Sequence, residues 1–315
     1  MCGHVGVYGR LPSLNNKTLM ALMLLLDSTR GTDGTGIYSN GEIHKTVGNV
    51  YNLIESREWD KAVVESNLMI GHNRASSVGK NSTRNTHPFR FGNIVGAHNG
   101  TLVKGYLKNN TDFDVDSECL YWNIEKHGIK ETAKSMSGSW SLVWYDEKEE
   151  VLHFLRNKER PMWIANISET KKEEQHKAIM WASEEWMLYA ASAKYNIHID
   201  DIYSTDEDML YEFSLDEKEA PLLLNKEKLE GRFQENIGKY PTSYYGYNYE
   251  RSEDYKYYGK RKGKYKKYKP QGKYKCAFCN GKYDNEVDIA YSYPILVGGE
   301  EQMVYVCKDC AMCDY

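Results

Sequence analysis

The sequence predicts an α+β chain in three parts: a large domain over residues 1–235, a basic linker over 236–275 and a small metal-held module over 276–315. Three observations carry this division. Strand-length apolar runs and a long apolar helical run share the first part. Residues 239–275 hold twelve Lys or Arg against three acids, with few aliphatic side chains. Five of the seven cysteines crowd into residues 276–313.

The 315 residues suffice for a full core. The net charge of -4 combines a tract of about +9 with a remainder of about -13, and that remainder has the balance of a soluble enzyme body. No stretch approaches the ~20 apolar residues of a membrane span, and no basic-then-apolar leader opens the chain. A cytoplasmic location is expected by default.

The chain begins Met1-Cys2-Gly3-His4-Val5-Gly6-Val7-Tyr8. Removal of Met1 would make Cys2 the first residue. Its thiol, with a free pKa of roughly 8.5, would then share a carbon with an α-amino group of pKa about 7.7–8.0. One residue would supply nucleophile and general base, the logic of N-terminal-nucleophile enzymes. Val5 and Val7 suit a short buried strand leading away from it.

Asn15 or Asn16 is placed to cap a helix through Leu26, whose run Met20-Ala21-Leu22-Met23-Leu24-Leu25-Leu26 reads as buried. Three glycines within Gly31-Thr32-Asp33-Gly34-Thr35-Gly36 mark a tight helix-to-strand loop. Leu68 to Gly71 form an apolar strand that delivers Arg74. An Arg at a strand end is either a surface charge or a bidentate carboxylate ligand.

Ile94 to Ala97 read as a strand that ends on His98-Asn99-Gly100. Asn-Gly is ordinarily a hairpin turn. The functional alternative is an oxyanion hole made by the Asn99 side-chain amide and the Gly100 N–H. Asp116 or Ser117 is placed to cap the helix that carries Cys119, Leu120 and Trp122. Further strands are expected at Gly138–Asp146, Glu149–Leu155 and Ala178–Ala182, with turns at Arg156-Asn157 and Arg160-Pro161. The lone His4, His72, His87 and His98 read as loop-fixing residues. No internal repeat is present.

Taken in order, Cys2-Gly3, Arg30-Gly31-Thr32-Asp33-Gly34-Thr35-Gly36, Gly71-His72-Asn73-Arg74, Asn85-Thr86-His87-Pro88, His98-Asn99-Gly100 and Asp116-Ser117-Glu118 resemble the class II glutamine amidotransferase domain. That domain is the glutaminase half of asparagine synthetase, glucosamine-6-phosphate synthase and phosphoribosylpyrophosphate amidotransferase. The resemblance runs over roughly residues 2–215, with fainter matches at Gly138-Ser139-Trp140 and Ala182-Ser183-Glu184.

It implies a four-layer αββα sandwich of two packed antiparallel sheets. It implies that Cys2 attacks the glutamine side-chain amide, with Asn99 and Gly100 holding the oxyanion. Arg74 would bind the substrate α-carboxylate and Asp116 its α-ammonium. The chain departs from the synthase pattern at Ala75, Ser77, Val78 and Thr101. Ser77 can still donate a hydrogen bond to substrate; Val78 cannot replace the histidine that the pattern places there. No phosphate loop, sugar-isomerase module or phosphoribosyltransferase pattern follows, so the ammonia acceptor or synthase is expected on another polypeptide.

In the C-terminal part, interleaved Lys and Tyr over 239–275 suit either a solvated linker or contact with nucleic acid through phosphate neutralisation and base stacking. Cys276-Ala277-Phe278-Cys279 and Cys307-Lys308-Asp309-Cys310 stand about 27 residues apart. That spacing fits a closed structural Zn2+ site of four thiolates, like a zinc ribbon, with redox dithiols as the minor alternative. Cys313 is a fifth thiol able to replace Cys310.

Three functions follow from these readings. The first is a glutaminase subunit feeding ammonia to an acceptor in trans, with nucleobase or nucleic-acid modification as one setting. The second is an N-terminal-nucleophile hydrolase of another amide. The third is a nucleic-acid-binding adaptor with a vestigial amidotransferase domain.

Overall fold

Every residue of the first strand, β1 (Gly3–Gly9), is buried, because the strand has protein on both faces. Val5 and Val7 pack against helices on one face, and Tyr8 enters the core on the other. The alternation of a pleated strand thus sends His4 to the same side as Tyr8. The computed structural model describes residues 2–61, 66–76, 79–171 and 177–229, together with strand backbone at 274–275, 282–283, 289–297 and 300–307.

After β1 come α1 (Asn16–Asp27), β2 (Gly34–Ser39), β3 (Glu42–Val47), the short helices α2 (Tyr51–Ile54) and α3 (Arg57–Lys61), and β4 (Leu68–Arg74). Next are β5 (Phe89–Phe91), β6 (Ile94–Leu102) and α4 (Asp116–Ala133), the last interrupted at Gly128. Then follow β7 (Gly138–Asp146), β8 (Val151–Arg156), β9 (Trp163–Ser168), β10 (Ala178–Ala182), α5 (Glu185–Tyr195), β11 (His198–Ser204), β12 (Met209–Leu215) and β13 (Pro221–Lys228).

The strands make two antiparallel sheets. One has the order β11-β9-β10-β1-β4-β2-β3, with β1 at its centre; the other has the order β13-β12-β8-β7-β6-β5. Helices α1 and α5 cover the outer face of the seven-stranded sheet through Met20, Met23, Leu24, Met187 and Leu188. Helix α4 covers the outer face of the six-stranded sheet through Leu120, Tyr121 and Ile124. Between the sheets lies a third core of Tyr8, Ile70, Val95, Val143, Phe154 and Trp181. Phe154 meets Trp181 edge-on at 5.1 Å, a geometry worth about 0.5–1.5 kcal/mol beyond burial. The layers are therefore helix, sheet, sheet, helix, the expected αββα order.

The local expectations fare unevenly. Asn15 caps α1, its side chain accepting the Thr18 N–H at 2.8 Å. Asn99-Gly100 is not a hairpin turn: β6 runs through to Leu102, with Asn99 opposite Ser141 and Gly100 opposite Trp140. Long-range pairing with β7 overrides the local turn preference. Neither Asp116 nor Ser117 is the N-cap of α4. Val115 holds that position, and Asp116 is the first helical residue. The glycine-rich stretch is only partly loop, since Gly34 and Gly36 lie inside β2. The strand expected from Glu149 starts at Val151, after a turn in which Glu150 is left-handed (φ 57°).

The chain divides into two compact units, Met1–Glu235 and Asn236–Tyr315. In the second, β14 (Tyr274–Lys275) pairs with β15 (Lys282–Tyr283), and β16 (Ile289–Val297) pairs with β17 (Glu300–Cys307). Cys276, Cys279, Cys310 and Cys313 lie outside the described residues, as does most of the basic tract; Cys307 closes β17. Among the described residues, no helix is long and apolar enough to cross a membrane.

Candidate active site

Cys2 stands directly before the central strand of the seven-stranded sheet and is half-buried. Its thiol donates to the Ala75 carbonyl at 3.2 Å, and the Ala75 N–H approaches the same sulfur at 3.2 Å. Burial raises the thiol's pKa; the Ala75 N–H and the nearby Arg74 charge act the other way. The net direction is upward, so the group rests as a thiol and requires a base to become a nucleophile. Arg30 Nε donates to the Cys2 carbonyl at 2.9 Å, and its Nη1 pairs with Glu184, which fixes the backbone at Cys2.

A small cleft opens beside the sulfur. Cys2, Arg74, Gly100 and Asp116 all line it. Four residues singled out from separate stretches of sequence therefore meet at one place. Arg74, at the end of β4, is 4% exposed and sends Nη1 to the Lys80 carbonyl at 3.1 Å. Gly100 has φ 139°, and a Cβ there would fall 2.0 Å from the Ser139 carbonyl oxygen, so only glycine fits.

Asp116 accepts the Leu102 N–H at 2.6 Å on Oδ2 and the Ser117 N–H at 3.0 Å on Oδ1. Its carboxylate pins β6 to the start of α4. Asn99 lies behind the lining rather than on it. Its amide nitrogen donates to Ser183 Oγ at 2.9 Å, which leaves the second N–H of that amide for another acceptor. Ser77 lies outside the described residues.

The sequence offers His4, His72, His87 and His98 as loop-fixing residues. All four are buried, and they gather beside the cleft. His4 pairs with His72 across β1 and β4, and the His72 and His87 rings lie 3.9 Å apart. His4 Nε2 meets Ser141 Oγ at 2.8 Å, linking the two sheets. Burial and the neighbouring Arg30 charge push the His4 pKa down to about 3, and burial holds His72 and His87 well below the usual histidine range. The group is a set of neutral imidazoles. His87 and Asn85, both from the Asn85-Thr86-His87-Pro88 stretch, also line the cleft.

The route of the 85–87 segment depends on β2. A Cβ at Gly36 would lie 2.0 Å from the His87 carbonyl oxygen. The glycines read from sequence as a loop signal let this segment pass over the strand.

No family model matches the sequence. Over 122 residues the chain is 34% identical to amidophosphoribosyltransferase 2, chloroplastic, of Arabidopsis thaliana, covering 36% of this chain and 21% of that protein. Over 204 residues it is 28% identical to the isomerizing glutamine–fructose-6-phosphate aminotransferase of Methanosarcina acetivorans, covering 52% of this chain and 31% of that protein. The chain thus spans less than a third of the length of these curated relatives. Among solved structures, the glutamine phosphoribosylpyrophosphate amidotransferase of B. subtilis aligns with a TM-score of 0.54 at 22% identity, over 75% of this chain and 50% of that one. A structure described as the allosteric regulatory enzyme of purine biosynthesis aligns over the same shares with a TM-score of 0.56 at 22% identity. These likenesses show the fold. The first unit of this chain is thus similar in sequence to an amidophosphoribosyltransferase and to a glutamine-using aminotransferase, and it carries Cys2 at the head of its central strand.

Proposed function

We propose that the protein is a glutaminase subunit that hydrolyses the side-chain amide of free glutamine and passes the ammonia to an acceptor or synthase on another polypeptide. The observation that carries this reading is the convergence of Cys2, Arg74, Gly100 and Asp116 on one cleft.

With Met1 removed, the Cys2 α-amino group takes the thiol proton, which burial otherwise keeps in place. The sulfur adds to the amide carbon. The free N–H of Asn99 and the Gly100 N–H hold the resulting oxyanion, each donor of this kind contributing about 2.7–4 kcal/mol. The ammonium of Cys2 returns the proton to the leaving nitrogen, and ammonia departs from a γ-glutamyl thioester. Water, deprotonated by the same amine, attacks the thioester carbon. Glutamate leaves and the thiol is regenerated. Arg74 binds the substrate α-carboxylate and Asp116 its α-ammonium, with Ser77 as a further hydrogen-bond donor to substrate. The opposite charges select a free amino acid over a glutamine in a peptide.

A diazoketone analogue of glutamine tests the assignment. It should add once to the wild-type chain, on Cys2, and not to Cys2→Ala. Labelling elsewhere, or equal labelling of both, defeats it.

The finer setting is modification of a nucleobase or nucleic acid in the cytoplasm, with residues 239–275 as the contact. Twelve basic residues interleaved with tyrosine support it. Salt-dependent retention of the full chain on RNA or DNA, lost when the tract's lysines become glutamines, tests it; no retention at low salt sinks it. Cys276, Cys279, Cys307 and Cys310 would hold one structural Zn2+. Elemental analysis should find one zinc per chain, and a metal-free folded protein would exclude the site.

A further inference from the structure

Asp27 ends α1 and is completely buried, yet the chemistry proposed above gives it no task. Its carboxyl lies against the main chain of Gly3, the residue that follows Cys2. A Cβ on Gly3 would fall 1.8 Å from Asp27 Oδ1 and 2.5 Å from Oδ2, so the missing side chain is what lets the carboxyl in.

The carboxyl is held from one side only. Asn73 Nδ2 donates to Asp27 Oδ2 at 3.0 Å and to the Leu24 carbonyl at 2.9 Å. Thr35 Oγ1 donates to Asn73 Oδ1 at 2.8 Å, which fixes that amide. Gly3, Asn73 and Thr35 share one register across β1, β4 and β2. Asp27 Oδ1, by contrast, is shut off from solvent and has no partner among the described residues. A buried carboxylate oxygen without a donor is costly. An asparagine would keep the Asn73 bond with no charge to bury. The acid therefore costs the fold stability, as groups do where a site needs their charge.

The missing donor has a source at the strand's own end. On the pleated β1, Gly3 shares the helix-facing side with Val5 and Val7, and Cys2 shares the opposite side with His4. The carboxyl thus stands behind the strand end and the thiol in front of it. With Met1 gone, the α-amino group of Cys2 begins the strand and is open to both sides. Arg30, whose charge acts on Asp27, is committed to the Cys2 carbonyl and to Glu184. Burial raises the Asp27 pKa to about 7, opposed by the Asn73 hydrogen bond and Arg30 and aided by Glu184, so the carboxylate form is present at pH 8.

We propose that Asp27 is a positioning residue for the Cys2 α-amino group. Its Oδ1 accepts one N–H of the amine, which turns the amine's lone pair toward the thiol. When the amine takes the thiol proton, one proton passes from sulfur to nitrogen and the carboxylate stabilises the ammonium. The effect on turnover rests on the glutaminase function proposed above; the pairing of Asp27 with the amine does not.

The test uses the full chain, with loss of Met1 verified by intact mass. In a Cys2→Ala background, alanine labelled with carbon-13 in its methyl group reads the amine's titration through the methyl at position 2. The parent should show two inflections, one near 7 from Asp27 and one at or above about 8 from the amine. Asp27→Asn should remove the first and lower the midpoint of the second by about 1 pH unit, since a nearby opposite charge favours the ammonium. With Cys2 in place, Asp27→Asn should lower kcat for glutamine at pH 8 about tenfold, the same difference carried into the transition state, with KM little changed. An amine that titrates alike in parent and Asp27→Asn overturns the proposal, as does a chain that keeps Met1. If Asp27→Asn does not fold, the parent decides: a single inflection overturns the pairing. Glutamate release by Asp27→Asn at the wild-type rate also overturns the proposal and leaves the glutaminase reading intact. A shifted amine in chains that release no glutamate keeps the pairing and removes the glutaminase reading.

Discussion

The Asn99 amide donates a hydrogen bond to Ser183 Oγ at 2.9 Å, deep between the two sheets. The same hydroxyl oxygen accepts the His4 N–H at 3.0 Å and donates to the His4 carbonyl at 3.3 Å. One buried side chain thus joins β1, which Cys2 precedes, to β6, which carries Asn99. The spacing of Cys2 and Asn99, the proposed nucleophile and oxyanion donor, is thus tied to the buried interior.

Ser183→Ala should remove that tie and leave two buried N–H groups unpaired, lowering stability by about 1–3 kcal/mol. In the proposed mechanism Asn99 acts on the transition state, so kcat should fall while KM for glutamine changes little. Ser183→Thr restores the hydroxyl and should recover most of the rate. Steady-state kinetics beside urea denaturation separate the two effects.

Arg74→Lys should raise KM for glutamine about tenfold or more, because an ammonium cannot reproduce the two-pronged contact of a guanidinium with a carboxylate. Stability should change less, since the side chain ends at the cleft. Initial rates over a range of glutamine concentrations give the value.

Gly36→Ala should destabilise the fold by about 1–3 kcal/mol or more, since its Cβ would press on the His87 backbone rather than on a movable side chain. Gly105→Ala is the control: nothing lies within 4 Å of a Cβ there. Its urea midpoint should match the wild type. Equal midpoints for both variants would show that the 85–87 segment does not pack on β2 as described.

Asp27 is fully buried, and burial raises its pKa from 3.8 to about 7 against the opposing pull of its Asn73 hydrogen bond and of Arg30, with Glu184 adding to the rise. The folded state therefore holds a proton that the unfolded chain has lost between these values. Stability from this group is full below about pH 4 and falls as pH rises to about 7. Asp27→Asn should melt higher than wild type at pH 8, and the gap should close as pH falls toward 4. Melting curves of both proteins across that range check it.

Much of the layer order was legible because it rests on local pattern. Val5 and Val7, the run Leu68 to Ile70 and the alternation from Trp140 to Trp144 each announce a strand. Other elements carry no such mark. Strand β13 is largely exposed at a sheet edge and polar after Leu224, so nothing in its pattern demands burial. Helix α5 buries Met187, Leu188 and Tyr189 consecutively, which blurs any helical stripe.

The candidate site shows the same divide. Cys2, Arg74, Gly100 and Asp116 belong to recognisable motifs. Asn99-Gly100 looks like a turn because its strand partner, Ser141 with Trp140, lies some forty residues away. Asn85, His87 and Ser183 also stand in matched stretches, but neither the burial of the first two nor the strands that Ser183 joins can be read from them.

Glutamate release from glutamine by the purified full chain and by Cys2→Ala, with intact mass measured on both, tests the proposed function most directly. The expected result is a wild-type chain lacking Met1 that releases glutamate, alone or with cell extract supplying its partner, and a Cys2→Ala chain that releases none under either condition. Glutamate release that survives in Cys2→Ala, or none from a processed wild-type chain even with extract, would contradict it.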